Sequence, residues 1–334
     1  MGVALSFPTT QEINHVVRNT IVNTDLFRGK EFAPMDTAYS ARIDVDVIPA
    51  VTGVTAPHAL NADPKVTTLT GQSMRSYATG YWRETYRINE EELLFARQEG
   101  TYSDRAGYMR VMRRSNELNV RLETRIEQLR WLAVTKGKID IKDNNVQYTV
   151  DMKVPSKNKP AALPWLTDPT RDIVKDLGGL QELYYGSGAK LDTIYIGHDI
   201  AKAWASNATI KDLMKQSVYA TNLSPSNVSK ALQLLFPELK FEVYTEGYSD
   251  GANFIPFIPA GAFSCVGKGS EKAMDFCSTL AIQNGGVEQP QPGKFASIED
   301  RSTSSKNPYI DITVGINGLP RMHHPEWFVI GQAN

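Results

Sequence analysis

From Ser103 to Lys136 the chain contains no proline and a single glycine, Gly107, and Gly137 stands where a helix would need a left-handed residue to close. Ser103 is a suitable N-cap. Apolar residues recur at Tyr108, Val111, Met112, Leu118, Leu122, Ile126, Leu129, Leu132 and Ala133, a stripe spaced by threes and fours that predicts one helix. At 1.5 Å per residue it would be about 50 Å long. That exceeds the usual globular helix and predicts the spine of an extended subunit. The opposite face is basic, with Arg105, Arg110, Arg113, Arg114, Arg121, Arg125 and Arg130 outnumbering Asp104, Glu117, Glu123 and Glu127. One reading is a solvated face laced with pairs such as Arg113–Glu117 and Glu117–Arg121. The other is ion pairing with a neighbouring chain, or sequence-independent phosphate contact.

Composition sets the class. Hydrophobic residues at 41% and charged residues at 22% describe an ordinary globular chain, and 334 residues suit two domains or one elaborated domain. Lys and Arg number 36 against 37 Asp and Glu, so no global positive field attracts nucleic acid or anionic lipid, and any such contact must be a local patch. Two cysteines, Cys265 and Cys277, are too few for a disulfide scaffold and read as buried free thiols. No run approaches the ~18 apolar residues of a membrane helix, and no basic segment leads into an apolar run at the N-terminus, so neither a membrane span nor a standard secretory signal is expected.

Around the long helix the period changes along the chain. Ile13, Val16, Val17 and Ile21 predict a short amphipathic helix near 10 to 23, within an arm that would lie on another surface. Ala41, Ile43, Val45 and Val47 alternate with polar residues, and a second alternating stretch runs from Tyr77 to Ile88. Joined by a polar, Pro- and Gly-containing connection, these two predict a long hairpin needing a partner surface, because an isolated two-stranded ribbon is marginally stable. Tyr77, Tyr81, Trp82 and Tyr86 carry the area it would bury. Lys138–Val150 reads as a tight hairpin turning at Asp143-Asn144-Asn145. Beyond a linker from 154 to 164, helices are expected near 168–185, 199–205 and 225–235. Strands are expected at 191–196, 241–244 and 262–266, with a closing pair at 309–315 and 326–330. This order is α+β.

No chemical signature accompanies it. His323-His324 is the only adjacent pair among five histidines, and neighbours on an extended chain point to opposite faces, which does not suit one metal. Cys277 has no histidine near in sequence, and the paired glycines lack phosphate-loop spacing. No catalytic, cofactor or metal residues are assigned; a hydrolase using scattered histidines and carboxylates remains the enzyme reading.

The element order resembles the major capsid proteins of lambda-like tailed bacteriophages, the E family, whose fold is shared with encapsulins and the herpesvirus capsid floor. The resemblance runs from Arg105-Ala106-Gly107-Tyr108 through Leu132-Ala133-Val134 and Lys136-Gly137-Lys138 to Val150-Asp151-Met152. It resumes at Asp168-Pro169-Thr170-Arg171-Asp172-Ile173, Ile194-Tyr195-Ile196-Gly197 and Ala203-Trp204, then Phe257-Ile258-Pro259 and Trp327-Phe328-Val329-Ile330. It implies an N-terminal arm (1–38), an extended loop (39–88), and a peripheral domain (89–164) with spine helix 103–136 and hairpin 138–150. An axial domain (165–300) and closing strands of the peripheral domain (301–334) complete it. The implied function is a shell subunit forming hexamers and pentamers around double-stranded DNA contacted non-specifically. Its implied partners are itself, a separate scaffolding protein, a portal and a decoration protein, with no cofactor and no membrane. The implied location is the virion capsid, with assembly in the host cytoplasm. Interface candidates are Tyr77, Tyr81, Trp82, Tyr86, Arg110, Arg113, Arg114 and Arg121. An encapsulin-type compartment is the alternative shell.

Overall fold

The proline-free segment forms one continuous helix, Asp104–Lys136. The structure, a computed structural model, describes residues 8–19, 26–40, 42–47, 73–89, 91–92, 104–143, 146–215, 223–282, 289–301 and 308–334. The expected N-cap Ser103, the connection between the ribbon strands and the turn at Asn144-Asn145 lie outside the described residues.

Among them the helices are α1 (Thr10–Asn19), α2 (Gly29–Phe32), α3 (Asp104–Lys136), α4 (Ile173–Glu182), α5 (His198–Ser206), α6 (Ala208–Leu213) and α7 (Val228–Leu235). The first strands are β1 (Met35–Thr37), β2 (Arg42–Val47), β3 (Ser73–Ala78), β4 (Tyr81–Asn89), β5 (Lys138–Asp143), β6 (Val146–Asp151), β7 (Lys190–Ile196) and β8 (Lys240–Val243). Then come β9 (Gly247–Ser249), β10 (Phe254–Pro256), β11 (Ala262–Lys268), β12 (Met274–Ser278), β13 (Leu280–Ala281) and β14 (Gln291–Pro292). The last are β15 (Lys294–Asp300), β16 (Tyr309–Met322) and β17 (Phe328–Gln332). The architecture is α+β, as expected.

The chain divides into two compact units. The first comprises Met1–Ile43, Tyr77–Arg130 and Phe276–Pro320. Its sheet is built on β16, which pairs antiparallel with β15 (Lys294↔Ile316 to Asp300↔Ile310) and with β4 (Tyr81↔Asn317 to Asn89↔Tyr309). The order β1-β12-β16-β15 completes it. Ile310, Ile312, Val314 and Ile316 alternate into the core. The stripe of α3 is buried at Val111, Leu118, Leu122, Ile126 and Leu129. Helix α1 lies along β15, where Asn14 Oδ1 accepts from Ala296 N (2.5 Å), Thr10 Oγ1 from Ile298 N (3.4 Å), and Arg18 Nε donates to Lys294 O (3.0 Å).

The second unit comprises Asp44–Ser76, Trp131–Asp275 and Arg321–Asn334. Its main sheet has the order β17-β11-β7-β8, antiparallel except for the β7–β8 pair. Trp165 packs at 5.0 Å from Trp204 and 4.6 Å from Phe263, within a core that takes in Ile173, Leu177, Ile194, Val228, Leu232 and Val329. The last turn of α3 belongs to this unit: Trp131 stacks on Tyr244 at 4.6 Å and meets Tyr195 edge-on at 5.1 Å. Gly137, at φ +65°, ends the helix, with its N–H on Ala133 O at 3.0 Å. Both cysteines are buried.

One expectation needs correcting. The alternating segment from Tyr77 to Ile88 is not a single strand facing 41–47. It divides at Thr79-Gly80 into β3, which pairs with β2 as a two-stranded ribbon, and β4, which joins the sheet through β16. The break has a local cause, since a Cβ on Gly80 would lie 2.7 Å from the Trp82 indole, and Gly80 O accepts from Gly318 N (3.0 Å). Tyr81, Trp82 and Tyr86 therefore belong to a sheet of their own chain.

Leu122 and Val120 lie on opposite sides of α3, at 7% and 41% exposure. Leu122→Asp buries an unpaired charge and should cost about 3–5 kcal/mol, whereas Val120→Asp should stay within about 0.5 kcal/mol; thermal unfolding of the two variants checks this.

Candidate assembly surfaces

Helix α3 and strand β4 place the candidate residues in one unit, and the arginines pair with carboxylates of their own chain. Glu92, just after β4, is the focus: its Oε1 accepts from Tyr86 Oη (2.8 Å), Arg110 Nη2 (3.2 Å) and Arg114 Nη2 (3.3 Å). Partial burial alone would raise the Glu92 carboxyl, but these donors hold it below the ordinary carboxylate range, and burial together with the same bond raises the Tyr86 phenol. The Arg114 guanidinium lies 4.8 Å from the Tyr86 ring centre, and its Nη1 reaches Glu117 at 2.7 Å. Arg121 Nη2 meets Glu84 of β4 at 2.6 Å rather than Glu117. Trp82 donates to Gly318 O at 3.0 Å and carries Arg125 5.6 Å from its ring.

Three candidates remain exposed, among them Arg121, whose side chain is exposed despite its pair with Glu84. Arg113 has an 82% exposed side chain and pairs with Glu117 at 3.4 Å, while Tyr81 is 65% exposed with Arg83 5.9 Å from its ring centre. Tyr77 is half-buried at the end of the ribbon. Helical spacing alone revealed one of these pairs, Arg113 with Glu117. Glu84 and Glu92 lie tens of residues upstream, where no periodicity connects them to α3.

His323 and His324 serve structure. Asp275, near the start of β12, is almost wholly buried and accepts from Arg321 Nε (3.0 Å) and Nη2 (2.7 Å), and sits 2.7 Å from His323 Nε2. Burial would raise the Asp275 carboxyl, yet the hydrogen bonds from His323 and Arg321 hold it below the usual range. His324 stacks on Trp327 at 4.0 Å with its Nε2 3.0 Å from Glu271. Among the described residues no cluster of three His, Cys, Asp or Glu could hold a metal. Burial pushes the Cys265 thiol up, away from the thiolate a nucleophile requires.

The fold recurs in capsid structures. A putative capsid protein of a prophage from E. coli CFT073 superposes with a TM-score of 0.57 at 16% identity, covering 98% of this chain and 100% of that one. A phage-related protein from Bordetella bronchiseptica RB50 gives 0.55 at 10% identity, with 98% of each chain covered. The capsid of cyanophage P-SCSP1u gives 0.51 at 9%, covering 95% and 89%. No curated protein matches the chain. The arrangement is a fold shared with phage capsid proteins. More narrowly, the chain belongs to the family of phage major capsid protein E, whose model matches residues 9–333. It is a structural subunit of a virion shell that assembles with itself, and membership of the phage family favours that shell over a nanocompartment.

The paired state of Asp275 gives a pH dependence. A carboxylate held below its unfolded value stabilises the fold above the ordinary carboxylate range and loses that contribution as pH falls through the lowered value. Asp275→Ala should cost about 3 kcal/mol at neutral pH by leaving Arg321 and His323 without their anion. Melting curves from pH 7 to 3 should fall more steeply for the wild type than for the variant.

Proposed function

We propose that this subunit forms hexamers and pentamers that close into an icosahedral procapsid and then expand around packaged double-stranded DNA, held by non-specific contacts. The observation that carries this is the family match across residues 9–333. In this reading residues 1–38 are the arm, 39–88 the extended loop, 89–164 with 301–334 the peripheral domain, and 165–300 the axial domain. The β2–β3 ribbon reaches a neighbouring subunit. Tyr77, Tyr81 and Arg113 form the outward part of the contact surface. Trp82, Tyr86, Arg110 and Arg114 hold β4 to α3 and shape that surface from within, while Arg121 ties the same two elements from the exposed side through Glu84. A scaffolding protein, a portal and a decoration protein are its partners during assembly in the host cytoplasm, and the subunit itself performs no chemistry.

The chain expressed with its scaffolding protein should give closed shells by electron microscopy. A stable monomer under every such condition, carrying a hydrolytic activity lost in His323→Ala, would establish the enzyme reading instead. Tyr81→Ser combined with Arg113→Ser should leave the melting temperature within about 2 °C of wild type while reducing the yield of shells. Amides of 42–47 and 73–78 should exchange rapidly in free subunits and slowly in shells. Strong protection in the free subunit would assign the ribbon to its own chain.

A further inference from the structure

Five lysines gather where helix α3 ends. Lys136 and Lys138 flank Gly137, Lys153 follows β6, and Lys157 and Lys159 lie on and just after the 3-10 turn Ser156–Asn158. All five are exposed. Their proximity is direct: Lys159 Cε lies 3.7 Å from where a Gly137 Cβ would stand, and Lys138 sits opposite Asp151 in the β5–β6 register. Asp151 is the carboxylate among them. It binds Lys153 through Oδ1 to the backbone N–H (2.8 Å) and Oδ2 to Nζ (3.0 Å), and it also feels the charge of Lys159. Along the same face of β5, Asp140 bonds Thr149 (3.1 Å) and is offset by exposed Lys142. The patch keeps a clear positive excess in a chain whose net charge is -1.

The backbone beneath is pinned at three points. Gly137 closes α3. Lys153, the non-glycine residue at positive φ (+57°) among the described residues, is fixed by its bond to Asp151. Asn158, wholly buried, donates from Nδ2 to Glu326 O (2.7 Å) and Phe328 O (3.0 Å), clamping the turn that carries Lys157 and Lys159. A strained residue persists where its surroundings over-determine it, often at functional positions. Ile139, Val150, Met152 and Val154 are buried and Ile141 and Tyr148 half-buried, and among the described residues none of the exposed large hydrophobic residues lies between 136 and 160. Protein partners are anchored by aromatic and apolar groups, whereas a phosphate backbone needs positive charge alone.

We infer that the lysine cluster Lys136, Lys138, Lys153, Lys157 and Lys159 is the surface through which the subunit contacts the phosphates of packaged duplex DNA. The inference rests on the shell reading above, and it assigns this side of the subunit to the shell interior.

The test is binding of a mixed-sequence 30-base-pair duplex to the full chain as a function of salt. Neutralising Lys138, Lys157 and Lys159 to Gln should weaken binding about tenfold or more at low salt and reduce the slope of log K against log salt by about 2 to 3. Replacing the same three by Arg should restore both. Lys175→Gln, Lys202→Gln and Lys230→Gln together remove the same charge elsewhere and should change little. Equal weakening by both Gln triples would reduce the effect to net charge and overturn the cluster. Undiminished binding by the first triple would place DNA elsewhere and leave the shell reading intact. No binding by the wild-type free subunit at low salt would overturn the inference. Competition by poly-glutamate stronger than by duplex, lost in the first triple, would make the patch a dock for an acidic protein segment.

Discussion

An apolar stripe some thirty residues long must be covered along its whole length, and most of the first unit answers that demand. A helix like α3 draws its stability from packing rather than propensity. The β16-centred sheet and α1 provide the cover, with Asn119 of α3 donating to Val17 O at 3.3 Å and Lys294 of β15 reaching Asn119 Oδ1 at the same distance. The basic flank is secured by carboxylates at 84 and 92, so β4 cannot shift its register on β16 without breaking the ties to Arg121, Arg110 and Arg114. A buried pair, Glu127 with Arg130, adds an internal anchor. Glu127 Oε1 accepts the Gly29 N–H at 2.7 Å and so holds the start of α2 against the same helix.

The parts of this fold that could be read from the sequence are those fixed by neighbours in the chain. The long helix, its glycine stop, the β5–β6 hairpin and the α+β order all follow from local spacing and turn chemistry. Strand β12 was not apparent, because Met274–Ser278 is buried on both faces and lacks alternation. The segment from Tyr77 onward shows the limit most clearly. Period two reports that one face is buried but does not name the partner, and β16 lies more than two hundred residues away. Period two alone therefore assigns to the ribbon aromatics that a sheet of the same chain holds. The candidate surface was half legible for the same reason: the arginines were visible as a face, while Glu84 and Glu92 were not visible as their partners.

A shell subunit leaves little trace of its function in any single residue. Enzymes concentrate polar groups in one concave site with shifted titration. Here the groups with shifted titration are spread along ion pairs, turns and buried positions: Glu92 between α3 and β4, Asp275 beneath Arg321 and His323, Asp151 among lysines. Each fixes a backbone or joins two elements. Recognition consequently rests on the order of elements over nearly the whole chain, which is what the family match registers.

The covering of β15 by α1 bears on how such a protein survives its own abundance. An unpaired strand edge is a template for any extended chain that meets it, and uncontrolled pairing of that kind leads to aggregates. Along β15 the outward groups at 294, 296 and 298 are each engaged by a side chain of α1, two of their N–H donors and one carbonyl. Side chains thus do what a further strand would otherwise do, without offering a new edge in turn. A protein that must accumulate in many copies and join only through chosen faces gains from an edge made silent in this way, because ordered closure then has one competitor fewer.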